Sequence, residues 1–176
     1  ALDVAEILAT ERSTDGEARL RYVTDVLALS QNHSHRMTAT HFQSIALLCR
    51  DYGIALPEGL QLQTNDHQSH DDDKLEEKLS SKIIGIYTLT EQAGIRAARM
   101  LKEIAPNSET ILNNDHVCTE RLATLAKTAD IFVFAWKSSK HQAYHCVKDH
   151  RPSDLPFLLP LGKGSASIIR EIIENV

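Results

Sequence analysis

Six consecutive apolar residues, Ile131 to Trp136 (IFVFAW), constrain this chain more than any other segment. The run falls far short of the roughly 20 residues a helix needs to cross a bilayer. Its β-branched and aromatic side chains favour an extended conformation over a helix. A strand that is apolar on both faces must be covered on both faces, which is the position of a central parallel strand in an α/β sheet. The residues after Lys82 agree, because their hydrophobic period switches repeatedly between the strand and helix values.

Strand one is predicted over Lys82 to Leu89 (KIIGIYTL), and helix one carries Ala93, Ala97, Leu101 and Ile104 on one face, stopping at Pro106 and Asn107. A short second strand runs from Glu109 to Leu112, and helix two carries Leu122, Leu125 and Ala129. Strand three is the apolar run itself. Helix three covers roughly Lys140 to His150, strand four Leu155 to Leu161, and helix four buries Ile168, Ile169, Ile172, Ile173 and Val176. Right-handed crossovers between such strands give 2-1-3-4 as the simplest order. The predicted fold class is therefore α/β: a small doubly wound parallel four-stranded sheet, Rossmann-like, over residues 82–176.

Upstream, residues 1–60 read as a short helical segment. Ala18, Tyr22, Val26 and Leu29 share one face at helical spacing, as do Phe42, Ile45, Ala46, Cys49 and Tyr52. Thr38 or Thr40 is the candidate N-cap of the second helix, and Gly53 its stop, with Pro57 beyond. Between them and the sheet, residues 61–81 are polar and acidic and read as a mostly irregular linker. Asp71, Asp72 and Asp73 with His67 and His70 are better explained as a solvated tether than as a cation site.

Charge separates the same regions: 5 basic and 8 acidic residues up to Asn65, 2 and 6 from Asp66 to Ser81, and 12 and 10 from Lys82 onward. An acidic chain with a mildly basic C-terminal part leaves nucleic acid a less favoured partner than a small anion. No membrane partner is expected, and with no signal-like N-terminus the chain reads as cytoplasmic. Beginning at Ala1 inside a helix-like pattern, it reads as a piece of a larger protein. Cys49, Cys118 and Cys146 are odd in number and lack CxxC spacing, so reduced thiols are expected.

The predicted strand order puts a topological switch point between strands one and three, opening a crevice at their carboxyl ends. Delivered to that edge are Thr88, Thr90 and Glu91, then Asn113 to His116, Lys137 to His141, and Gly162 to Ser167. The last loop, Pro160 to Ser167 (PLGKGSAS), sets two glycines, a lysine and two serines where a helix begins. Glycines let backbone N–H groups approach an anion closely. The loop has neither Walker nor dinucleotide spacing, so neither ATP hydrolysis nor NAD binding follows, and no cofactor is expected. Ser165 is equally a candidate N-cap of helix four, and Ser138 or Ser139 of helix three. Lys137, Ser138, His141, Lys163 and Ser165 are expected to converge in one pocket at the carboxyl edge of strands three and four, the two lysines serving an acidic ligand. A zinc site can be drawn from His116, Cys118, His141, His145 and Cys146, but no pair has a motif spacing, and no metal is assigned.

Residues Asp115, His116 and Leu122, then Ser138, Ser139, Lys140, His141, Ala143, Tyr144, Val147 and Lys148, then Gly164, Ser165 and Ser167, form a further pattern. In this pattern the last half of the chain resembles the bacterial domain of unknown function 2325, a short Rossmann-like module often placed at the C-terminal end of larger proteins. The resemblance implies the fold, and it implies that His116, Ser139, His141, Tyr144 and Ser165 stand at motif positions. The family usually follows its first strand with a glycine-rich loop, where this chain reads TLTEQAG.

Three functional readings follow. The first is a sensor or regulatory module binding a nucleotide or other phosphorylated small molecule, through Thr88, Glu91, Asp115, His116, Lys137, Ser138, Ser139, His141, Tyr144, Lys163, Gly164, Ser165 and Ser167. Its partner would be the rest of a larger protein or another subunit, and bacterial antiviral defence is a setting where such modules occur. The second is an enzyme using Glu91, Asp115 or His116 as a base on such a ligand. The third is an assembly module without a ligand.

Overall fold

A sheet of parallel strands needs a crossover after each strand, and the helices that make those crossovers decide which side chains end up inside. The computed structural model describes residues 1–10, 15–61 and 71–176, and the chain divides into two units, Ala1–Asp73 and Lys74–Val176.

In the first unit, α1 (Leu2–Thr10), α2 (Gly16–Asn32) and α3 (Ala39–Tyr52) surround Ala5, Val23, Val26, Leu27, Phe42, Ile45, Leu48, Cys49 and Leu60. The buried stripe of α2 is rotated from the predicted one, since Val23, Val26 and Leu27 are buried while Ala18 and Leu29 are exposed. Asp15 caps α2 by accepting from the Ala18 N–H at 2.8 Å. Thr38 caps α3 with its own N–H donating to His41 Nδ1 at 3.1 Å, so that histidine serves the helix start. Gly53 ends α3 at φ 63°, the left-handed region a side chain resists.

A fourth helix, α4 (Asp71–Leu79), occupies part of the predicted linker, and Leu75 and Leu79 are buried. Residues 62–70, including His67 and His70, lie outside the described residues. The irregular reading fails over 71–79 because two leucines at i and i+4 give an otherwise charged helix one apolar stripe.

The sheet is four-stranded with order β2-β1-β3-β4, every pair parallel, as the sequence predicts. Its elements are β1 (Ile83–Tyr87), α5 (Glu91–Ile104), β2 (Glu109–Asn113), α6 (Glu120–Thr128), β3 (Ile131–Phe134), α7 (His141–His150), β4 (Phe157–Leu158) and α8 (Ser165–Asn175). Helices α6 and α7 pack together, as do α5 and α8. Facing α6 and α7 are Tyr87, Phe132 and Phe134, and Tyr87 stacks on Phe134 with centroids 4.5 Å apart. The alternate residues Ile84, Ile86 and Val133 are also fully buried, as the period of two requires in a sheet covered on both sides.

Gly85 stands on the same face as Tyr87, where a Cβ would lie 2.9 Å from Phe132 Cδ2. Strand four is shorter than the predicted Leu155 to Leu161. Pro156 and Pro160 flank it and supply no N–H to a ladder, so pairing is confined to Phe157 and Leu158. Among the described residues, no helix is long and apolar enough to cross a membrane.

The cysteines also depart from expectation. Cys118 and Cys146 are joined in a disulfide, their Cα atoms 5.2 Å apart, and Cys49 is the free one, buried with its thiol pKa pushed up by that burial. A sequence separation of 28 hides the pair, which meets because Cys118 precedes α6 and Cys146 lies on the neighbouring α7.

Candidate functional site

Every parallel strand points its carboxyl end at one edge of the sheet, so the loops after β1, β2, β3 and β4 gather there. Between β1 and β3 the predicted crevice is bridged. Ala135 N–H donates to the Tyr87 carbonyl at 2.9 Å and Leu89 N–H to the Ser138 carbonyl at 2.9 Å. The hydroxyls of Thr90 and Ser138 lie 2.7 Å apart. Tyr87 adds a fully buried tie: its hydroxyl donates to the Asp115 carbonyl at 2.9 Å and accepts from the Lys140 backbone, linking the β2 and β3 loops. Burial pushes the Tyr87 phenol above its ordinary pKa, which keeps that donor protonated.

Among the described residues, a cavity lies one strand over, between β3 and β4. Phe134, Trp136, Ser139, His141, Tyr144 and Leu159 line this cavity of about 510 Å³. Phe134 is fully buried and forms its floor, with Tyr144 edge-on at 5.6 Å between centroids. Trp136 is 48% exposed, standing at the rim in a turn of 3-10 helix, Trp136–Ser138. Lys137 Nζ sits 5.4 Å from the centre of the Trp136 ring, a cation–π contact that holds one ammonium near the rim.

Of the thirteen residues nominated from sequence, the structure brings Ser139, His141 and Tyr144 into this cavity. Of the five expected to converge, His141 alone lines it. Lys163 is exposed, and Ser138 is engaged with Thr90. Gly164 is the N-cap of α8 and Ser165 its first residue, fully buried, while Ser167 is buried within the helix. The N-cap of α7 is Lys140, so neither Ser138 nor Ser139 caps it; Ser139 Oγ donates to the Trp136 carbonyl at 2.8 Å. The capping roles that the sequence left open for Ser138, Ser139 and Ser165 are therefore filled by Lys140 and Gly164.

On the β1 and β2 side, Thr88 is buried and its hydroxyl accepts from the Thr90 N–H at 3.1 Å, while Glu91 is exposed at the start of α5. Gly94 lets α5 settle on this strand end, since a Cβ there would lie 3.1 Å from Thr88 Cγ2. That close approach occupies the segment TLTEQAG. Asp115 Oδ2 accepts from Thr119 Oγ1 at 2.5 Å and from Asn113 Nδ2 at 2.8 Å. Those two hydrogen bonds hold its carboxyl below the usual aspartate range, making it a poor base. His116 is exposed beside it.

Sequence reasoning missed Phe134, Trp136 and Leu159 as lining residues because it assigned them to strands. The signal was present in their position: the last residues of strands three and four are handed to the carboxyl edge whatever their polarity.

Fold and edge together define a parallel α/β module with an aromatic-lined cavity at the carboxyl end of its sheet. A family model described as DpdD-like matches residues 1–171, and the chain belongs to this bacterial domain family. The match runs through both units, whereas the resemblance to the domain of unknown function 2325 covered the last half, and that label does not come with it. No curated protein and no solved structure matches the chain.

Proposed function

We propose that the C-terminal unit is a regulatory module that binds a nucleotide, with the base in the aromatic cavity and the phosphate toward the lysines of the surrounding loops. The observation that carries this reading is the cavity lining. Trp136, Tyr144 and His141 offer ring faces and edges, Ser139 offers a hydroxyl, and the volume of about 510 Å³ falls in the range of small-molecule sites. Stacking of a base on an aromatic side chain contributes about 1–3 kcal/mol, enough to make the base rather than the phosphate the anchor. Lys137, Lys140 and Lys163 are all exposed on the β3 and β4 loops. The family's name hints at a DNA-modification (dpd) cluster, which is consistent with a defence setting.

Calorimetry on the full chain tests the reading, with adenosine and guanosine monophosphates against ribose 5-phosphate. Nucleotides should bind at least about tenfold more tightly than the sugar phosphate, and Trp136→Ala should remove the difference. Lys163→Ala should weaken the nucleotide more than the nucleoside while leaving the melting temperature nearly unchanged. No heat with either nucleotide, or equal binding of ribose 5-phosphate, overturns it.

The exposure of Trp136, Leu159 and Leu161 (48%, 38% and 69%) favours a second reading, protein assembly through this apolar rim. In that case Trp136→Ala changes the association state and not nucleotide binding.

A further inference from the structure

Away from the aromatic cavity, three metal-binding side chains meet. Cys146 and His150 are one turn apart on α7 and share a face, and Cys118 stands just before the Thr119 N-cap of α6. Their two sulfurs and one ring nitrogen lie within 4.8 Å of one another. As described, the sulfurs are bonded to each other. A dithiol reductant would deliver two electrons and two protons, breaking the S–S bond to two thiols and itself becoming a disulfide. Packing of α6 against α7, with Cys146 only 4% exposed, keeps those thiols neighbours after the bond is gone.

The imidazole is already oriented. Its Nδ1–H donates to the Cys146 carbonyl at 2.8 Å, so a neutral ring keeps its lone pair on Nε2, and ligating histidines are commonly held by such a partner. Two thiolates and one imidazole are a zinc donor set, and their softness disfavours magnesium and calcium.

We infer that the reduced chain carries a zinc-type transition-metal site built from Cys118, Cys146 and His150. Binding of Zn²⁺ releases the two thiol protons, and the three side chains leave a fourth coordination position for water or another ligand. Reduction opens the site, and reoxidation by a disulfide oxidant would expel the metal and restore the bond.

The test uses the full chain, reduced with a dithiol, freed of it without air, and titrated with Co²⁺. One Co²⁺ per chain is expected, with thiolate-to-cobalt charge-transfer absorption that added Zn²⁺ bleaches; the oxidised chain should give neither. Cys118→Ser, at an exposed position, should halve the charge-transfer intensity and weaken binding at least about tenfold. His150→Ala should weaken binding by a similar factor while keeping both thiolate transitions. Far-ultraviolet circular dichroism of each variant reports that the fold is retained. Absence of the charge-transfer band from the reduced wild-type chain, or a band unchanged in both variants, overturns the inference.

Discussion

The two edges of the sheet treat their polar groups in opposite ways. At the amino edge the side chains are used up on backbone. Arg151 Nη1 donates to the carbonyls of Ala126 (2.9 Å) and Ala129 (2.5 Å), and Nη2 to those of Asp130 (3.1 Å) and Pro156 (2.7 Å). Its guanidinium also lies 5.8 Å from the Phe132 ring centre. Asp130 accepts the Ile83 N–H at 2.7 Å, closing the start of β1. At the carboxyl edge the β1 and β3 loops are tied in the same manner, yet the β3 and β4 loops turn a tryptophan, two leucines and three lysines outward. A fold that spends its best donors on one edge and exposes an indole ring and charges at the other separates the groups that hold it together from those that would meet the proposed ligand.

The largest effect that would break this comparison lies at the amino edge. Arg151→Ala removes charged donors from four carbonyls at a helix end and strand start, and should cost about 3 kcal/mol in urea unfolding. Arg151→Lys should recover only part of this, because an ammonium lacks the planar fork. A loss below about 1 kcal/mol would mean that the cluster is ornamental to stability.

Gly85→Ala comes next. Its Cβ would meet Phe132 at 2.9 Å and the Ala129 methyl at 3.2 Å in the core between β1 and α6, so about 1–3 kcal/mol should be lost by the same measurement. An unchanged midpoint would show that α6 can retreat.

A smaller, pH-dependent effect belongs to Asp115. Hydrogen bonds from Thr119 and Asn113 lower its pKa in the folded chain. A depressed folded value means that the stabilisation is present above the ordinary aspartate pKa of about 4 and is lost as pH falls through the folded value. Unfolding measured from acid to neutral pH should therefore show a rise in the wild-type chain that is shallower in Asp115→Asn. Identical slopes would remove Asp115 from the account.

Smallest in stability is Trp136→Ala, expected within about 0.5 kcal/mol of wild type by the same denaturation because the ring is half out in solvent. A substantial loss would place Trp136 with the structural residues and blur the contrast between the edges.

Much of the sheet was legible because the apolar run Ile131 to Trp136 and the switching periods speak for burial directly. Strand order followed from crossover handedness rather than from any motif. What the sequence hid depends on contacts made across it: the Cys118–Cys146 pair brought together by α6 and α7, the Arg151 clamp, and the Tyr87 hydroxyl joining two loops. The helix over Asp71–Leu79 was hidden by its charge. At the site, hydroxyls and lysines drew attention because they suit an anion, and Ser139, His141 and Tyr144 do reach the cavity. Ser138 and Ser165 do not line it, since the Ser138 hydroxyl pairs with that of Thr90 and Ser165 is buried as the first residue of α8. Trp136 was passed over as strand core, though only Phe134 of that pair is buried.

Trp136 is also the single tryptophan of the chain, so tryptophan fluorescence reports on the rim of the cavity. Titration of the full chain with guanosine monophosphate tests the separation of the edges most directly. The account predicts saturable quenching of Trp136 emission in the wild-type chain, kept in Tyr144→Phe and weakened in Lys137→Ala. Emission that stays constant, or falls only linearly as in free tryptophan, would contradict it.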